Sequence, residues 1–166
     1  MLPPFDTMSF ASVWYWALTV LVWTLVTQRV LGVPHDMLIR AARLPEVSAR
    51  VDTLAHIGAE RVAGIADAAG VVFATLAGFT LAMLAVMGFL FQIELAKALA
   101  PLAFPLCLIA ATTARLAARI RREKLRGEPL RRLLTRHRGT NQAVAIIAMF
   151  AATILAVTHP PIYFPR

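Results

Sequence analysis

Charge is scarce in this chain: charged residues make up 16% of its 166 positions, against about 25% in a soluble domain. Cysteine occurs once, as Cys107. That excludes an internal disulfide, a four-cysteine iron–sulfur site and a cysteine-rich zinc site. Serine occurs only as Ser9, Ser12 and Ser48. Ser48 could approach His56, but no nucleophile motif surrounds it. His35, His56 and His137 lie in polar segments and His159 at the end of an apolar run. Within one subunit they cannot ligate a haem at mid-membrane. No apolar run carries an ionisable residue near its middle, the usual requirement of a proton- or ion-coupled transporter. No catalytic residue, cofactor or metal site is assigned.

What the chain has in abundance is apolar surface. Hydrophobic residues make up 59% and mean hydropathy is +0.69, which excludes a water-soluble globular enzyme. A membrane-spanning helix needs about 20 mostly apolar residues. Four stretches qualify: 10–33, 69–91, 98–114 and 142–158. The expected fold is all-α, a four-span transmembrane helical protein with a cytoplasmic helical extension. The remaining segments are an outer tail (1–9), a cytoplasmic helical segment (34–68), an outer loop (92–97), a basic cytoplasmic loop (115–141) and an outer tail (159–166). The first residues lack the basic region and cleavage site of a signal peptide, so the first span is expected to stay in the mature protein.

Basic residues set the orientation. Fifteen of the 17 Lys and Arg fall at 29–61 and 115–138, and cytoplasmic loops collect such residues. Both termini are therefore expected outside, in the periplasm of a bacterial inner membrane. Residues 115–140 hold ten basic and two acidic residues, a surplus equal to the chain's net charge of +8. Arg119, Arg121, Arg122, Lys124, Arg126, Arg131, Arg132, Arg136 and Arg138 are expected to contact anionic lipid on the cytoplasmic side, each worth roughly 1 kcal/mol near the surface. Aromatic residues do not interleave with these cations, so nucleic acid is not an expected partner. Trp14, Tyr15 and Trp16 belong at one headgroup level, with Tyr163 and Phe164 at the same one. Arg29, one turn inside the span, is expected to snorkel.

Span two carries Ala66, Gly70, Ala74, Gly78 and Ala82 four residues apart, on one helix face. This small-xxx-small pattern admits another helix closely: within the unit, from a second copy, or from a different membrane protein. Pro101 is tolerated in a first turn, whereas Pro105 is expected to kink span three. Leu44, Pro45 and Glu46 read as a helix start. Val47, Val51, Leu54, Ile57, Val62 and Ile65 then recur at helical intervals, with no strong breaker before span two. This helix is expected to pack on the basic segment, with Glu46, Asp52, Glu60 and Asp67 neutralising part of its charge. Gly127, Glu128 and Pro129 read as a turn, and Thr140 with Asn141 as the cap of span four.

The run from Ser9 to Trp16 (SFASVWYW) and the run from Val30 to Met37 (VLGVPHDM) resemble a small alphaproteobacterial membrane-protein family labelled "component of SufBCD complex". The resemblance is best over the first forty or so residues; beyond them the shared feature is mainly the layout. It implies association with iron–sulfur assembly machinery, and no catalytic residue carries over. The sequence therefore points to a non-enzymatic membrane accessory or scaffold protein acting with a protein partner or as a homo-oligomer. The alternative is a small oligomeric transporter or channel subunit.

Overall fold

The computed structural model describes residues 13–158, so the tails, with Ser9, Ser12, His159, Tyr163 and Phe164, lie outside the described residues. The chain is all-α apart from one short hairpin. In order, the elements are α1 (Val13–Gln28), β1 (Arg29–Val30), β2 (Val33–Pro34), α2 (His35–Ala41), α3 (Pro45–Ala85), a π-helical turn (Val86–Leu90), α4 (Glu94–Glu123) and α5 (Gly127–Thr158). Among the described residues, three helices are long and apolar enough to cross a membrane: α3 with its π-turn, α4 and α5. The apolar α1 is shorter, with 16 described residues, or about 24 Å.

The first apolar stretch runs over 10–33, but the described helix stops at Gln28. Leu31 and Gly32 then take φ of 49° and 80°, turning β1 back on β2 with Val30 opposite Val33. Positive φ at both central residues gives the twist that antiparallel strands need. A left-handed leucine costs roughly 1–2 kcal/mol. Leu31 is 7% exposed, and burying a leucine side chain returns about 1.5–3 kcal/mol. Arg29 accordingly sits exposed in β1 rather than inside a helix end.

Pro45 starts α3 in its first turn, with Glu46 beside the positive end of the helix dipole. The helix then runs unbroken for 41 residues, about 60 Å. Its polar and apolar halves are thus one element. α4 also continues through Pro101 and Pro105 to Glu123. The second turn comes at 124–126, earlier than the Gly127–Pro129 position read from sequence, because Lys124 takes a left-handed φ of 49° and closes α4. Gly127 already opens α5. The basic helix does not end before the last apolar stretch, so Thr140 and Asn141 lie inside α5 and cap nothing. Thr140 bonds back to the Arg136 carbonyl at 3.1 Å.

Packing concentrates at the basic end. Val51, Ala55, Ala59 and Ala63 form the buried seam of α3, at 2%, 0%, 0% and 1% exposure. They meet Leu116, Ala117 and Ile120 of α4, Leu130 and Leu134 of α5, and the hairpin. The seam is not the stripe of large side chains expected from periodicity: Leu54, Ile57 and Ile65 are exposed. Alanines permit closer helix approach, so the small residues face inward. A smaller core joins Trp23 of α1 to Ile109, Ala145 and Ala148. The Tyr15 hydroxyl donates to the Ala98 carbonyl at 2.9 Å, tying α1 to α4.

Gly58 fixes the hairpin on α3, since a Cβ there would lie 2.2 Å from the Leu31 carbonyl oxygen. Gly58→Ala is expected to cost about 1–3 kcal/mol through overpacking. Gly64, whose added Cβ meets nothing within 4 Å, should gain about 0.5–1 kcal/mol as alanine from helix propensity. Thermal unfolding of the purified protein in detergent measures both. Equal shifts would show that the hairpin does not seat on Gly58.

Candidate functional site

Two surfaces emerge: the basic junction of α3, α4 and α5, and the apolar half of α3. At the junction the α4–α5 turn leaves backbone groups of both helix ends without intrahelical partners. α3 supplies partners for both. The Asp52 carboxylate accepts the Gly127 N–H at 2.9 and 3.0 Å, an N-cap delivered from another helix. One turn on, His56 Nε2 donates to the Leu125 carbonyl at 2.8 Å. Asp52 and His56 share a helix face with Glu60. Together with Arg126 they line a cleft of about 380 Å³. Ser48 lies eight residues before His56 on the same helix, about 12 Å along its axis, so the pair is not assembled as a nucleophile and base. No group of three or more His, Cys, Asp or Glu able to hold a metal occurs among the described residues.

The basic side chains divide into two sets. Arg119 and Arg122 meet Glu123 at 3.1 and 3.7 Å, Arg121 meets Asp67 at 2.7 Å, and Arg132 meets Glu128 at 2.7 Å, with Arg131 on the same carboxylate. Lys124, Arg126, Arg136 and Arg138 form no ion pair among the described residues. Of the four acids expected to neutralise the cluster, only Asp67 pairs with it. Asp52 serves the backbone instead, and Glu123 and Glu128 act locally through neighbours one, three and four residues away. Arg132 and then Arg131 hold the Glu128 carboxyl below the usual glutamate range. Lys124, Arg126, Arg132 and Arg136 are exposed, while Arg131 and Arg138 are half-buried.

Along the apolar half of α3, Ala74, Gly78 and Ala82 are exposed, and Ala66 and Gly70 are half-buried. A Cβ added at Gly70 or Gly78 would meet nothing within 4 Å. Val71, at 83% exposed, and Phe79, at 65%, project from the same stretch. Cys107 is a half-buried free thiol.

Two polar residues were missed from sequence. Lys97, placed in a loop, lies in the first turn of α4 at 4% exposure; Asn141, read as a cap, is 3% exposed. Asn141 Oδ1 and Arg138 Nη1 are buried without a hydrogen-bond partner, one helical turn apart. Gly88 was missed as well: its added Cβ would lie 3.1 Å from the Lys97 nitrogen, so the π-turn rests directly on α4. The sequence signal for Gly58 and Gly88 is a lone glycine inside an otherwise helical pattern, and it does not separate them from Gly64, Gly70 and Gly78, which approach nothing. No family model matches the chain, nor does any curated protein or solved structure.

Asp52→Ala should cost about 0.5–2 kcal/mol, as for a lost N-cap, and speed tryptic cleavage after Lys124 and Arg126. Unchanged cleavage would mean that the turn does not depend on α3. For Glu128 the depressed native pKa makes its contribution full above the unfolded-state value. That contribution disappears as pH falls through the native one. Glu128→Gln is therefore expected to flatten the melting-temperature profile in the acid range and leave its shape unchanged near neutrality. An identical acid limb in both proteins would remove the Arg131–Arg132 clasp from the pH response.

Proposed function

We propose that this chain is a bacterial inner-membrane protein with four spans, both termini periplasmic and the basic junction cytoplasmic. In this reading it is a non-enzymatic accessory or scaffold protein. One observation carries it: α3 is locked into a packed core over its polar half and left bare over its apolar half. A helix held at the seam and again at Gly88, and uncovered between them, is built to receive something along its length. The small residues at 66, 70, 74, 78 and 82 would let a partner helix approach closely, and close packing is a main source of association in lipid. The unpaired Lys124, Arg126 and Arg136 would meet anionic lipid headgroups. The sequence resemblance nominates iron–sulfur assembly components as the first partners to examine.

The rival reading, a small oligomeric transporter or channel subunit, draws on Pro101 and Pro105 beside an apolar cavity of about 580 Å³. Liposomes holding only this protein should show no substrate-dependent flux; flux would favour the rival. Alkaline phosphatase fused at Gly127 should be inactive and at Glu94 active, and the reverse would overturn the topology. In a Cys107→Ser background, Ala74→Cys and Gly78→Cys should crosslink to a neighbouring chain, while Leu76→Cys on the opposite face should not. Equal crosslinking from both faces would remove the stripe as a contact surface.

A further inference from the structure

Lys97 is a buried cation whose only described side-chain partner is neutral. Its Nζ donates to Gln92 Oε1, and no carboxylate lies within ion-pair distance of it among the described residues. A charge in a low-dielectric site is costly unless an opposite charge accompanies it. Gln92 is exposed, takes a left-handed φ of 59° and is held by its own bond to the Phe89 carbonyl at 2.6 Å. It therefore reaches the Lys97 ammonium from an exposed position, beside the π-turn that packs on Lys97 at Gly88. One turn further along α4 begins the apolar cavity, between Pro101 and Leu108 of α4 and Ile147, Ala151 and Leu155 of α5, with Phe89 at the Lys97 end. A buried cation and an apolar groove thus adjoin.

The groove's lining and the cation beside it select its occupant. From Val144 to Leu155 it extends on the order of 16 Å along α5, about half the roughly 30 Å hydrocarbon core. That is the depth of one leaflet. Its lining is apolar throughout and it is open along one side. Such a lining suits an extended hydrocarbon chain, and the ammonium beside it calls for a negative charge on the same molecule. We propose that the groove holds one acyl chain of an anionic phospholipid, and that the lipid's phosphate becomes the counter-ion of Lys97 when Gln92 swings aside. The inference rests on the membrane reading above and is independent of the scaffold reading.

Native mass spectrometry of the full chain, released from nanodiscs of mixed phosphatidylcholine and phosphatidylglycerol, tests this directly. The unaltered protein should retain one phosphatidylglycerol in preference to phosphatidylcholine. Lys97→Gln should lose the preference and Lys97→Arg should keep it. Gln92→Ala, a change at an exposed position, should strengthen retention by uncovering the ammonium. Ala151→Phe, which fills the groove, should lose bound lipid of either kind. Preference unchanged in Lys97→Gln, lipid retained by Ala151→Phe, weaker retention in Gln92→Ala, or a second copy of the chain in place of lipid would each overturn the proposal. Failure here would leave flux, topology and crosslinking results untouched, so the two readings fail separately.

Discussion

Ala55, Ala59 and Ala63 place three methyl groups in a row along α3, and Gly58 leaves bare backbone beside them. That combination sets how near the neighbouring elements can come. The alanines contribute little buried area themselves. Their effect is to admit Leu116, Ile120, Leu130 and Leu134 to one shared interior, where each large side chain gains about 1.5–3 kcal/mol from burial. The Leu31 carbonyl rests where a side chain at Gly58 would stand. The hairpin leads directly into α2, which packs on α3 beside it, whereas α1 is held on α4 and α5 through Tyr15 and Trp23. The Asp52 and His56 bonds then fasten the α4–α5 turn to the same helix.

The two halves of α3 answer to different solvents. Around the seam, apolar groups are withdrawn into a packed core, the arrangement that water enforces. Beyond Ala66 the helix exposes valine, leucine and phenylalanine on several faces. In water such a surface is an aggregation hazard. In lipid it carries no such penalty, because hydrocarbon tails are as apolar as leucine. The dense core at the basic end and the loose packing of the apolar half are therefore one folding rule applied in two media.

The helical class, the apolar stretches and the clustering of arginine were legible from sequence because each depends on composition over many residues. The association of residues 46–66 with the basic segment was legible too, since an apolar stripe beside a charged loop needs cover. Its register was not. Periodicity weighted by side-chain size favoured Leu54 and Ile57, while the fold buried the alanines, because closeness of approach outweighed the area of any one side chain. Helix limits failed where a single backbone angle decides them: Leu31 and Lys124 enter the left-handed region without being glycine, and Gly32 beside Leu31 sits inside an apolar run that reads as continuous. Lys97 was hidden for a related reason. One lysine between two apolar runs looks like a loop residue until the first turn of a helix closes over it.

Contact at the seam and contact at Gly88 hold α3 near its two ends, with the bare stretch between. Mechanically it is a strut pinned at both ends rather than a free arm. Such a member resists bending toward whatever docks on it, so its surface is already in its final shape before an encounter. A neighbouring helix settling against it would sacrifice only its own freedom, and the entropy of ordering, a main cost of association, would fall on one side of the contact. The same pinning gives the helix a defined facing direction, because rotation about its axis would drag Gly58 off the hairpin and Gly88 off α4. The chain thus fixes which face of α3 the membrane sees.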